Sequence, residues 1–160
     1  AYDPYLEEAV FEEYGVEKVD SLEELFSSCN IISLHTPLTP KTEGMIDMNL
    51  LKKMPEGGIL INTSRGEIVK EEDLYHALKE GILGSAGVDV IIDESQFESP
   101  LYELKNVIVT PHVAYYSEEA LTECRQKAAE QIADVIGRGR IPKYLVNKSV
   151  KGKTKTGLIG

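Results

Sequence analysis

Apolar residues recur along this chain in two rhythms, short unbroken runs and stripes at helical spacing, and a cap, a glycine or a proline marks each switch. Residues 7 to 14 and 21 to 29 read as helices, the second opened by Ser21 with Glu24 three positions later, a capping box. Between them, residues 17 to 20 form at most a short strand. Residues 30 to 35 are a strand, Asn30-Ile-Ile-Ser-Leu-His35, whose nearly continuous apolar run predicts burial on both faces and hence a parallel sheet. It stops at Thr36-Pro37. Asp47 precedes a helix over 48 to 54 with Leu50, Leu51 and Met54 as its stripe, closed by Pro55 and Gly57-Gly58.

The rhythm then repeats. A strand over 59 to 62 leads to a helix over 70 to 80, with Leu74, Ala77 and Leu78 at helical spacing, which stops at Gly81. Residues 84 to 90 form another buried strand, 93 to 103 a loop, 106 to 110 a strand, and 117 to 136 a long amphipathic helix. Alternation of this kind predicts βα units wound into a doubly wound parallel α/β sheet, Rossmann-like, with helices on both faces. The basic, Gly/Lys/Thr-rich segment 149 to 160 reads as a mobile tail. Within it, Gly152-Lys153-Thr154 resembles the end of a phosphate-binding loop, but Asn147 stands where that motif requires glycine.

At 160 residues the chain fits one domain able to bury a conventional core. Its formal net charge of −10 argues against a nucleic acid or an anionic membrane as partner, while leaving small anions open to a local arginine. Cys29 and Cys124 lack metal-ligand spacing and read as reduced thiols of a cytoplasmic protein. No apolar stretch suits a membrane span and no signal peptide is visible. The opening Ala1-Tyr2-Asp3-Pro4 has no methionine, as expected of part of a longer protein.

Chemistry concentrates where strands end, the edge at which open α/β sheets bind ligands. Arg65 follows one strand in Asn62-Thr-Ser-Arg-Gly66; its guanidinium offers a planar fork to a carboxylate, and Gly66 lets the chain turn close to a ligand. A surface ion pair is the alternative for Arg65. Asp89 ends a second strand; a carboxylate inside an apolar run needs a partner, either a ligand amide or the donors of a nearby loop. His112 follows Pro111 at a third strand exit, placed to take up and release a proton near neutrality, and a carboxylate beside it would hold its tautomer, with Glu94 as the expected partner. His76, among Glu71, Glu72 and Glu80, reads as solvated surface, and His35 as intermediate. Asp3 is a candidate for a ribose hydroxyl of a dinucleotide, favouring NAD over NADP, with a surface turn as its alternative. The glycine fingerprint of such a site, which lies roughly 20 residues upstream of that acid, occurs nowhere among the thirteen glycines.

Together these residues resemble the NAD-binding domain of the D-isomer-specific 2-hydroxyacid dehydrogenases. The resemblance rests on Tyr2-Asp3-Pro4, Leu34-His-Thr-Pro-Leu-Thr39, Asn62-Thr-Ser-Arg-Gly66, Gly87-Val-Asp-Val90 and Thr110-Pro-His112, and spans residues 1 to 148. It implies a partial domain of that kind, lacking the first strand and the glycine-rich loop. It further implies an oxidoreductase acting on a small 2-oxo or 2-hydroxy acid, with NAD as cofactor and Arg65, Glu94 and His112 as the catalytic set. Arg65 would bind the substrate's carboxylate and 2-oxo group. Asp3, Thr36, Pro37, Thr63, Ser64, Arg65, Asp89, His112 and Ala114 would contact the cofactor, Asp89 through the nicotinamide carboxamide. Without the glycine loop, the free chain is expected to bind the cofactor weakly and to be inactive.

The stretch His112-Val-Ala-Tyr-Tyr-Ser117, with Gly139-Arg-Ile-Pro142 and Val146-Asn147-Lys148, resembles the branch of the C-terminal-binding-protein corepressors and their bacterial relatives, and disfavours 3-phosphoglycerate as substrate. The same resemblance suggests a homodimer. A reading of another class remains beside the enzyme: a non-catalytic dinucleotide-sensing or dimerisation module, using the apolar face of the long helix.

Overall fold

Four short strands, Ile31–Leu34 (β1), Ile59–Asn62 (β2), Ser85–Val88 (β3) and Val107–Val109 (β4), lie side by side in chain order and run parallel, in a computed structural model that describes residues 1–96 and 98–150. Parallel neighbours need crossovers. The helix Met48–Leu51 (α3) lies between β1 and β2, Glu71–Lys79 (α4) between β2 and β3, and a 3-10 turn, Pro100–Glu103, between β3 and β4. Two helices, Glu8–Glu13 (α1) and Leu22–Ser28 (α2), precede β1. Leu34 pairs with Asn62, Asn62 with Val88 and Val88 with Val109, so all four carboxyl ends reach one edge together.

Local chemistry sets the element ends. The Ser21 hydroxyl accepts from the Glu24 N–H at 3.1 Å, and the Glu24 carboxylate accepts from the Asp20 N–H at 3.1 Å, one residue before the usual return of a capping box. Asp47 caps α3 by accepting from the N–H groups of Asn49 and Leu50. That helix ends sooner than its apolar stripe predicts, because Lys53 and Met54 close tight turns onto Leu50 and Leu51 ahead of Pro55. Gly81, at φ 74°, follows the end of α4 in the left-handed region that suits glycine. Residues 17 to 20 form no strand, although the Val19 N–H donates to the Ala1 carbonyl and the Ala1 amine to that of Glu17.

The core lies on one face of the sheet. Ile32, Leu34, Leu60, Ala86 and Val88 meet Phe26 of α2, Leu50 and Leu51 of α3, and Leu74 and Leu78 of α4 in a single buried cluster. Among the described residues the other face stays open: Ile31 is 60 % and Ile108 71 % exposed, and β1 alternates exposed with buried positions. This corrects the expectation of burial on both faces. All three helices that supply the cluster pack on the same side, and α1 buries only Phe11, outside that cluster. The apolar run of β1 therefore records β-propensity as well as burial.

The chain divides into two compact units, Ala1–Ala114 and Tyr115–Gly160. The second is built on the helix Glu118–Arg138 (α5), whose start is capped by Ser117 accepting from the Ala120 N–H at 3.0 Å. Gly139, at φ 62°, closes its end. None of its residues is buried; Ile132 is 60 % and Ile136 82 % exposed. Most of the expected tail lies outside the described residues, which end with a 3-10 turn, Lys148–Val150. Among the described residues no helix is long and apolar enough to cross a membrane.

Candidate functional site

The turn leaving β2 is fastened from below by Asn62, only 1 % exposed. Its amide nitrogen donates to the Arg65 carbonyl at 2.9 Å and its amide oxygen accepts from the Ser64 N–H at 3.0 Å. A buried amide bonded at both ends is a stable way to fix backbone, since neither pole is left unpaired. The Ser64 hydroxyl adds a bond of 2.7 Å to the Leu34 carbonyl, tying the turn to the end of β1. Arg65 stands exposed on this mount; Nη1 donates to the Ser64 carbonyl at 2.6 Å, and no carboxylate pairs with the guanidinium among the described residues. The surface ion pair considered for it is thus not formed.

At Gly66 the structure shows a close approach of two backbone segments. A Cβ there would fall 2.3 Å from the Ile91 carbonyl carbon and 2.4 Å from its oxygen. The glycine lets the turn after β2 press against the segment after β3.

Asp89, just beyond β3, is 4 % exposed. Its carboxylate accepts from the Thr110 hydroxyl, from the Val113 N–H at 2.9 Å and from the Ala114 N–H at 2.8 Å, while its carbonyl accepts from the His112 N–H at 2.9 Å. Of the two partners considered for this acid, the structure shows the loop donors. Burial pushes the Asp89 carboxyl up, but the Thr110 hydroxyl and the Ala114 and Val113 N–H groups outweigh it and hold the group below its ordinary value. These bonds frame His112, a non-glycine residue at φ 53°, a conformation that costs about 1–3 kcal/mol and persists where its surroundings impose it.

His112 Nδ1 lies 2.9 Å from Glu94 Oε2, with both side chains close to 40 % exposed. Asp93, the neighbouring acid, turns inward on its own loop, accepting from the Ser95 hydroxyl at 2.7 Å and the Gln96 N–H at 3.1 Å. Glu94 is therefore the carboxylate that meets the imidazole. With Nδ1 engaged, Nε2 is the nitrogen left for proton exchange.

The remaining candidates stand apart from this group. Thr36 is half-buried and Pro37 exposed beyond β1, and Thr63 is exposed beyond β2. Asp3 closes a turn by accepting from the Tyr5 N–H at 2.8 Å, the surface-turn arrangement, and its second oxygen bonds nothing among the described residues. His35 Nε2 meets the Ser33 hydroxyl at 2.9 Å. His76 lies between Glu72 and Glu80 on the exposed side of α4. Sequence reasoning did not single out Asn62; a polar residue closing the apolar run 59 to 62 was the available signal.

Along this edge, exposed Thr63 and Arg65 stand on a fixed turn beyond β2, and half-buried Thr36 lies beyond β1. A parallel α/β sheet of this kind places the protein in the Rossmann-like class, whose members bind ligands beyond the carboxyl ends of their strands. Residues 1–114 match the family model described as D-isomer specific 2-hydroxyacid dehydrogenase, NAD binding domain, and the chain belongs to that family. The matched residues coincide with the first compact unit.

Among similar proteins, a D-3-phosphoglycerate dehydrogenase of Methanocaldococcus jannaschii is 42 % identical over 146 residues, covering 91 % of this chain and 28 % of that protein. A glyoxylate reductase of Korarchaeum cryptofilum is 41 % identical over 150 residues, covering 93 % and 45 % respectively. The chain thus spans less than half the length of these relatives. The D-lactate dehydrogenase of Aquifex aeolicus, solved with NAD and lactic acid, superposes with a TM-score of 0.75 at 31 % identity, over 86 % of this chain and 45 % of that one.

Proposed function

We propose that this chain is the cofactor-binding part of an NAD-linked oxidoreductase that interconverts a small 2-oxo acid and its D-2-hydroxy acid, with Arg65, Glu94 and His112 as the catalytic set. The observation that carries the reading is the 2.9 Å pair of His112 and Glu94 on the sheet edge that also bears Arg65. Asp3, Thr36, Pro37, Thr63, Ser64, Arg65, His112 and Ala114 would hold the cofactor. When bound there, it supplies the hydride that reduces the 2-oxo carbon.

The protein's own groups do the rest. The Arg65 guanidinium engages the carboxylate and orients the adjacent carbonyl. Glu94, on Nδ1, fixes the imidazole so that Nε2 delivers its proton to the oxygen as the alcohol forms and recovers it in the reverse direction. Asp89 contributes through the backbone it holds under His112.

Within the family, the stretch from His112 to Ser117 favours the corepressor-like branch, whose members keep the same catalytic trio. The similarity to a D-3-phosphoglycerate dehydrogenase keeps phosphorylated acids among the substrates to assay, against the expectation from that stretch. The exposed apolar face of α5 favours a second reading, a dimer-forming module. Turnover separates the two. In the full-length protein, NADH oxidation with glyoxylate, pyruvate and 3-phosphohydroxypyruvate is expected with at least one acid, and His112→Gln is expected to lower the rate about 100-fold or more. A variant within twofold of the parent would remove His112 from the chemistry.

A further inference from the structure

Burying an amide costs free energy that burying an apolar side chain of similar size does not, so an asparagine closing a core strand calls for a use. Asn62 has one. Its side chain takes the Ser64 N–H at 3.0 Å and the Arg65 carbonyl at 2.9 Å, the two main-chain groups that bracket the Ser64-Arg65 dipeptide. Between them lies the Ser64 carbonyl, to which Nη1 of the guanidinium donates at 2.6 Å. The other donor to the Arg65 carbonyl, the Ile68 N–H, stands further off at 3.3 Å.

The main chain of the same asparagine leads toward the imidazole. Its carbonyl accepts from the Asp89 N–H at 2.9 Å, and the Asp89 carbonyl accepts from the His112 N–H at 2.9 Å. Arg65 and His112 are thereby joined by an unbroken line of hydrogen bonds through Asn62 and Asp89. Removing the Asn62 side chain cuts that line at the arginine alone, because Glu94 and the Asp89 carboxylate still hold His112 and the backbone after it. We propose that Asn62 is a positioning residue: it sets the Arg65 guanidinium at a fixed place relative to His112, so that an acid held by its carboxylate presents its 2-oxo oxygen to Nε2.

This role rests on the reading of Arg65 as the group that binds the acid, and the test keeps the two apart. In the full-length protein loaded with NADH, oxamate, an unreactive relative of pyruvate, reports the carboxylate site by equilibrium binding. Asn62→Ala is expected to weaken oxamate about tenfold and to lower kcat/KM for the best of the acids assayed above about 100-fold, while NADH binds within about threefold, as a misplaced substrate-binding group does. Leu60→Ala, a cavity earlier on the same strand, is the control for lost stability and is expected to bind oxamate as the parent does. In an Arg65→Ala background, Asn62→Ala is expected to change kcat/KM by less than about twofold, because residues that act as a unit are not additive. If Asn62→Ala does not fold, Asn62→Ser, which leaves a smaller gap, is read in its place. A full second loss in the Arg65→Ala background overturns the proposal, as does parental oxamate binding in the Asn62 variant or unfolding of both variants. Failure of the parent to bind oxamate removes the role of Arg65 and that of Asn62 with it. His112→Gln at the parental rate would remove the proton-carrier reading alone, and oxamate affinity would still decide Asn62.

Discussion

At Asp89 burial and hydrogen bonding oppose each other. Burial works against the charge, while the Thr110 hydroxyl, the N–H groups of Ala114 and Val113, and the nearby His112 charge favour it; the balance lies below the ordinary value. A carboxyl whose folded-state value is depressed contributes stability that is present above its unfolded value and lost as pH falls through the folded one. Asp89→Asn is therefore expected to cost roughly 2 kcal/mol near neutrality, because an amide NH2 would face a backbone N–H, of Val113 or of Ala114, where an accepting oxygen stood. The gap to the parent should shrink as pH falls below the ordinary carboxylate range and through the depressed folded value of Asp89, where the parent's carboxylate is also neutralised. Urea midpoints across that range measure it, and a gap that does not change with pH would assign the cost to packing. The sequence exposed the problem at Asp89, an acid inside an apolar run, and left its partners open. The donors lie 21 to 25 residues further on, and no local spacing encodes that approach.

Elements were more legible than their contacts. Ser21, Asp47 and Ser117 cap the helices they were expected to start, because a cap and its N–H partner are neighbours in the chain. The positions of β1 to β4 followed from apolar runs. What escaped were devices that join one element to another: Asn62 under the Arg65 turn, Glu71 of α4 accepting from the Ile92 N–H, and Gly66 against Ile91. The last is the sharpest case. All three atoms a Cβ would strike are backbone, the Ile91 carbonyl carbon and oxygen and the Ile92 nitrogen, which cannot rotate away as a side chain would. Gly66→Ala is expected to cost about 2 kcal/mol or more, the scale of overpacking. The measurement is chemical denaturation of the 160-residue chain, and a loss below about 0.5 kcal/mol would mean the two segments separate easily.

At the scale of the first compact unit, the sheet has one packed face and, among the described residues, one open face, and mutations should report the difference. Leu60 is fully buried, and Leu60→Ala is expected to cost about 3 kcal/mol. Ile108→Ala, on the open face, is expected to stay within about 0.5 kcal/mol. Comparable losses in urea unfolding would show the second face to be covered. The parallel fold class was legible because it depends only on alternation of elements; the missing layer was not, because an apolar run does not say which side its neighbours occupy. The candidate site was legible in Arg65, His112 and Glu94 for a related reason, since in-register parallel strands bring their exits to one edge whatever the loops contain. The mount beneath position 65 has a consequence of its own. Asn62 grips only the carbonyl of that residue and the N–H of the one before, both main-chain atoms. The anchorage is blind to the side chain it presents, so a substitution at position 65 should alter what the turn offers to its surroundings while the turn itself stays in place.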